Sequence, residues 1–114
     1  MKRGEIWWAD FGAPLGSERG YRRPVLIVQS NVFNGGGIST VVVAAISSNL
    51  ALESAPGNVR LSRSDSKLAK ASVVNVSQIS SADRARLVGK VSTLAPSQMS
   101  KVEAGLKLVM GLDG

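Results

Sequence analysis

From Gly16 to Gln29 the chain reads Gly-Ser-Glu-Arg-Gly-Tyr-Arg-Arg-Pro-Val-Leu-Ile-Val-Gln. A glycine-flanked polar loop carrying three arginines and a glutamate runs straight into an apolar, β-branched strand, so charged groups are held at the edge of a rigid element. Pro24 suits the first position of that strand, where a missing N–H costs little, and it biases Arg23 towards an extended backbone. The chemistry on offer is the binding and charge stabilisation of an anion. A plainer reading of the same residues is a hairpin connection whose arginines are only solvated.

Composition narrows the reactions. The 114 residues include 14 Lys and Arg against 8 Asp and Glu, a net charge of +6, and contain neither His nor Cys. A polyanion is the natural partner of such a surface, since a phosphate backbone releases counterions on binding it. A Ser-His-Asp triad, a thiol nucleophile and ordinary zinc ligation are excluded by residue type. The acids are scattered rather than clustered, which offers no Mg²⁺ site. Catalysis, if present, must use Arg, Lys, Glu, Asp, Ser, Thr or Tyr.

The elements that position these groups follow from pattern. Lys2 to Phe11 reads as a strand, with Ile6, Trp8 and Phe11 assigned to the core; the adjacent Trp7 and Trp8 must point to opposite faces, leaving one indole to stack on a base or a partner. Gly12 to Gly20 is a long connecting loop. Val25 to Gln29 is a strand covered on both faces, and Ser30 to Ser39, with Asn31, Asn34 and three consecutive glycines, is a flexible hairpin tip. Thr40 to Ile46 is the most strongly β-forming stretch and ends in Ser47-Ser48-Asn49. Residues 50–58 form a turn, 58–62 an exposed strand and 63–70 a basic loop. Ala71 to Ile79 is a further strand with Val74, Val76 and Ile79 inward and Asn75, Ser77 and Gln78 displayed. Ser81 to Leu87 reads as one helical turn with a serine cap, Val88 to Leu94 as a strand, and Pro96 opens a helix whose core stripe is Met99, Val102, Leu106, Val109 and Met110.

Six short strands and one C-terminal helix describe a mainly β fold, a small, bent antiparallel barrel with the helix laid against it, in one domain over residues 1–114. Three segments then converge at one rim: the loop 16–23, the strand end 47–49 and the edge 75–78. Residues 1–20 carry no secretory pattern and no apolar run approaches the roughly 18 residues of a membrane span, so the expectation is a cytoplasmic protein with no membrane partner.

In order and spacing, Gly4-Glu5-Ile6-Trp7, Gly16-Ser17-Glu18, Arg23-Pro24-Val25-Leu26-Ile27-Val28-Gln29, Ala44-Ala45-Ile46-Ser47, Ser72-Val73-Val74 and Gln78-Ile79 resemble the MazF/PemK toxins, over nearly the whole chain. The resemblance implies an SH3-like barrel, a homodimer and a sequence-specific mRNA interferase: a metal-independent endoribonuclease that cuts single-stranded RNA, chiefly mRNA, and needs no cofactor. It also implies a cognate MazE-like antitoxin whose acidic, initially disordered tail occupies the RNA groove. In the family's chemistry the ribose 2′-OH attacks the adjacent phosphate, leaving a 2′,3′-cyclic phosphate and a 5′-OH.

Carried over by position, the family's catalytic Arg falls on Arg23 and its catalytic Thr on Ser47. A guanidinium there can stabilise the pentacoordinate transition state, and Glu18 can act as base or orient Arg23. Ser47 keeps the hydroxyl and loses the methyl that restricts its rotamer, while Ser48 competes for the same role. The RNA-binding set comprises Ser17, Arg22, Asn34, Ser48, Asn75, Ser77 and Gln78. Some relatives carry an acid where this chain has Ser77, so a mechanism relying on a carboxylate there cannot operate here. Two other functions use the same barrel: a non-enzymatic toxin that poisons gyrase, and a catalytically silent nucleic-acid-binding module.

Overall fold

The computed structural model describes residues 1–11 and 22–112. Six antiparallel strands form one sheet: β1 (Glu5–Asp10), β2 (Arg22–Ile27), β3 (Thr40–Ser47), β4 (Val59–Leu61), β5 (Ser72–Asp83) and β6 (Leu87–Thr93), in the spatial order β4-β5-β3-β2-β1-β6. The architecture is a half-barrel with a C-terminal helix, as the sequence pattern implies. Between the edge strands β4 and β6 lies a one-turn helix α2 (Arg63–Ser66), and the Ser92 hydroxyl of β6 donates to the Ser66 carbonyl. That bond helps to close the side the sheet leaves open.

The sheet is apolar on both faces. Ile6, Leu26, Ala44, Ile46, Val74 and Val76 pack on one side with Met99, Val102 and Leu106 of α3 (Pro96–Met110). Ala9, Val25, Ile27, Val41, Val43, Ala82 and Leu87 pack on the other. Val25–Ile27 of β2 is therefore a buried run without alternation, as expected for a strand covered twice, whereas β3 largely alternates between buried and half-buried residues. Helix α3 sits close to the sheet because Gly105 lies against Gly57: a Cβ at Gly105 would stand 2.1 Å from the Gly57 carbonyl oxygen, and Gly57 has φ +84°.

Several local expectations are corrected. In β1 Glu5, Ile6 and Ala9 are buried, whereas Trp8 and, just beyond the strand, Phe11 are exposed. The glycine-rich tip contains a short helix α1 (Asn31–Asn34) with Ser30 accepting from Val32 N–H at its start. Residues 81–87 are not a serine-capped helical turn: β5 runs on to Asp83 and a 3-10 turn, Arg84–Arg86, follows. The basic segment at 63–70 begins with α2, whose Ser62 and Asp65 form a reciprocal capping box. Val109 and Met110 leave the core stripe and are exposed on the last turn of α3.

Candidate active site

The site forms where β2 and β3 part. Pairing between these strands covers Val25↔Ala45, Leu26↔Ala44 and Ile27↔Val43 and begins at the residue after Pro24, which has no N–H to donate. Arg23 lies two residues before Val25 and Ser47 two residues after Ala45, so both extend the same face past the last bridge. Both line one groove of about 440 Å³.

The third wall comes from β5. Its register against β3 passes from Ala44↔Ile79 to Ala45↔Asn75, leaving three extra residues, Val76, Ser77 and Gln78, in a large bulge. Val76 N–H donates to Asn58 Oδ1 at 3.0 Å, while the Asn58 amide donates to the Leu52 carbonyl at 2.9 Å. Asn58 thus ties the bulge to the 3-10 turn Leu50–Ser54, and Leu52 completes the groove floor with Val25, Val43 and Ile46.

Hydrogen bonds fix the orientation of two polar groups. Asn75 lines the groove although it is only 7% exposed, and its Oδ1 accepts from the Ser77 hydroxyl at 2.8 Å. The Ser47 Oγ accepts from the Asn49 N–H at 3.1 Å, which leaves the hydroxyl proton to be donated elsewhere. Gln78 is exposed within the groove. Asn75 was expected to be displayed beside Ser77; instead residues 72–76 are buried on both faces, and the asparagine reaches the groove as a buried polar group.

The other named residues divide between three places. Arg22 and Ser48 line a second depression of about 240 Å³, which shares Arg23, Pro24 and Ile46 with the groove. Arg22 also pairs with Asp10 across the strands at 3.9 Å, an exposed contact of little energetic weight. Asn34 stands apart: it is 7% exposed, its Nδ2 donates to the Gln29 carbonyl and to Asn31 Oδ1, and its Oδ1 accepts from Gln29 Nε2. That amide shapes α1 and does not reach the groove. Ser17 and Glu18 lie outside the described residues.

Electrostatics favour an anion. Among the described residues that line the groove and the adjoining depression there is no carboxylate, whereas Arg22, Arg23 and Lys70 are present. Among the described residues no group of three or more metal-ligating side chains is gathered. Sequence reasoning missed Lys70 and Leu52 as site neighbours; the basic character of 63–70 was the available signal for the first, and nothing local marked the second.

Residues 2–110 match the model of the PemK-like, MazF-like toxins of type II toxin-antitoxin systems. The chain is 42% identical over 112 residues to endoribonuclease MazF2 of Mycobacterium bovis and to endoribonuclease MazF6 of Mycobacterium tuberculosis, covering 98% of this chain and 98% of each relative. It is 36% identical to endoribonuclease MazF of Staphylococcus saprophyticus, over 98% of this chain and 92% of that one. In fold it is similar to a mycobacterial endoribonuclease solved in complex with its cognate antitoxin, with a TM-score of 0.81 at 24% identity, covering 100% of this chain and 98% of that one. A Deinococcus radiodurans MazE-MazF structure gives a TM-score of 0.80 at 20% identity, over 99% and 98% of the two chains. With a match to the family model over residues 2–110 and relatives 42% identical over 98% of its length, the chain belongs to the PemK-like, MazF-like toxins of type II toxin-antitoxin systems.

Proposed function

We propose that this chain is a toxin endoribonuclease that cleaves single-stranded RNA, chiefly mRNA, without metal, at the groove between β2, β3 and β5. The observation that carries the reading is the meeting of Arg23 and Ser47 in one basic groove. The relatives at 42% identity are endoribonucleases, which supports the reaction class.

In this reading the ribose 2′-oxygen forms a bond to phosphorus, the bond from phosphorus to the 5′-oxygen breaks, and the departing 5′-oxygen takes up a proton. The 2′-OH proton passes to a base, for which Glu18 is the candidate carboxylate. Arg23 donates to the non-bridging oxygens as charge builds on them, and Ser47 adds a further donor. Asn75, held by Ser77, and Gln78 on the bulge read base edges of a splayed-out strand.

A cognate antitoxin with an acidic tail is the partner that would compete for such a groove, and the structural neighbours include toxins solved with their antitoxins. A second copy of the chain is the other partner. An apolar recess of about 550 Å³, floored by Val28, Val42 and Leu106 and flanked by the exposed Phe33 and Met110, supports a homodimer.

The test is incubation of the pure protein with a long RNA in EDTA, with end-group analysis and comparison with Arg23→Ala. Cleavage that leaves cyclic-phosphate ends and is lost on substitution is the expected result. Intact RNA with the wild type turns the reading towards a non-enzymatic toxin or a silent binding module, and cleavage surviving the substitution removes Arg23 from the site. Light scattering of the same protein reads the subunit number.

A further inference from the structure

The two tryptophans of β1 are used differently. Trp7 is half-buried against the second apolar cluster and its Nε1–H donates to Glu5 Oε1 at 2.9 Å. Trp8 is 39% exposed, an unusual cost for so large an apolar ring. Its cross-strand neighbours are Pro24 on β2 and Gly89 on β6. A Cβ built at Gly89 would meet no atom within 4 Å, so no side chain from that position covers the indole and the space beside it is open.

Trp8 lines the depression of about 240 Å³ that adjoins the groove. Ile46 and Leu68 give it an apolar floor; Arg22, Lys70 and Ser48 supply two cations and a hydroxyl. An aromatic plane beside cations and a hydrogen-bonding group is the combination that single-stranded nucleic acid uses, stacking the base while the backbone stays near positive charge. Because the depression and the groove share Arg23 and Pro24, a strand with its phosphate at Arg23 passes directly from one to the other.

We propose that Trp8 is the stacking platform of a subsite for the nucleobase flanking the scissile phosphodiester, with Lys70 and Arg22 holding that nucleotide's outer phosphate. The inference rests on the ribonuclease reading and adds a substrate-positioning residue to it. Stacking tolerates any base, so this subsite contributes affinity and register, whereas Asn75 and Gln78 contribute sequence discrimination.

The experiment pairs substitutions with altered substrates. Wild type, Trp8→Phe, Trp8→Ala and Lys70→Ala, each checked for native circular dichroism, are assayed on an oligoribonucleotide containing a mapped cut site. The same oligomer is made with an abasic nucleotide on either side of the cut, and in a 2′-deoxy form that binds without being cleaved. Trp8→Ala is expected to lower kcat/KM and 2′-deoxy oligomer binding about tenfold or more, while Trp8→Phe stays within about threefold of wild type. The decisive result is non-additivity: removing one flanking base costs the wild type about as much as Trp8→Ala does, and costs Trp8→Ala nothing further. If wild type cleaves but Trp8→Ala matches it, or both abasic losses add fully to the substitution, the subsite is wrong and the nuclease reading stands. The subsite is equally overturned if Trp8→Ala weakens only the binding of an acidic peptide. Trp8-dependent binding of the 2′-deoxy oligomer without cleavage of the ribose form keeps the subsite and removes the nuclease reading, and absence of both binding and cleavage removes both.

Discussion

Arg23 and Ser47, 24 positions apart in the chain, stand on the same face of neighbouring antiparallel strands, each two residues beyond the Val25↔Ala45 bridge. Their approach is a consequence of register: a one-residue slip of β2 against β3 would turn one of them to the opposite face. The geometry makes the pair separable by substitution, because Arg23 is exposed and Ser47 only half-buried.

Arg23→Ala is expected to reduce RNA cleavage by roughly 100-fold or more, the scale of losing a principal donor to a developing oxyanion, with little change in thermal midpoint. Arg23→Lys keeps the charge but loses the planar fork, and should recover only a small part of the activity. Initial rates on a fluorogenic oligoribonucleotide, with an unfolding scan of each variant, check both statements.

Ser47→Ala removes the hydroxyl that accepts from Asn49 N–H and faces the groove. A fall in kcat of about 10-fold or more is expected, whereas Ser47→Thr should retain activity because it keeps the oxygen and narrows its rotamers. Single-turnover rates at saturating RNA separate this loss from weaker binding.

Gly105→Ala tests how α3 is seated. The added methyl would collide with the Gly57 carbonyl, a backbone atom that cannot swing aside, so helix and turn must separate. A loss of about 1–3 kcal/mol in chemical denaturation is expected despite the better helix propensity of alanine. Gly57→Ala should also destabilise, since φ +84° disfavours any side chain.

Glu5 gives the fold a pH dependence. Burial raises its pKa, but bonds from Trp7 Nε1–H, Lys2 N–H and Lys90 outweigh that and hold it below the ordinary value of 4.5. A carboxylate with a depressed folded-state pKa contributes stability above its unfolded pKa and loses it as pH falls through the folded one. The unfolding midpoint should therefore drop on acidification below about pH 4.5, and Glu5→Gln should be less stable at neutral pH with a shallower acid limb. Denaturant titrations between pH 3 and pH 7 measure both.

RNA binding should weaken steeply with salt, as expected when Arg22, Arg23 and Lys70 displace counterions from phosphates. Affinity of a 2′-deoxy oligomer at several KCl concentrations gives the slope, and Lys70→Ala should make it shallower by about one unit.

Much of this was legible in the residues. Runs such as Thr40–Ile46 are β-branched and apolar, so strand is their only comfortable state, and the step of three and four from Met99 to Leu106 marks a helix with one buried side. Asn34 was misjudged because a polar residue among glycines looks like a loop tip; its amide instead satisfies the backbone of Gln29 and the side chain of Asn31. Val109 and Met110 keep the helical period but are exposed on the last turn of α3, where Met110 borders the open recess beside Val28 and Val42 rather than a closed core.

What the sequence determined by itself was local: which segments are strands, that Pro24 presets Arg23, that neither His nor Cys can take part, and that a polyanion suits the surface. Only the tertiary structure decided which distant groups meet. The bulge at 76–78 swings Gln78 to Arg23 and Ser47 through a change of register that alternation along one strand cannot encode. The opening beside Trp8 depends on Gly89 lying opposite it on β6, and pairing partners are a property of the assembled sheet, fixed by the summed burial of all six strands.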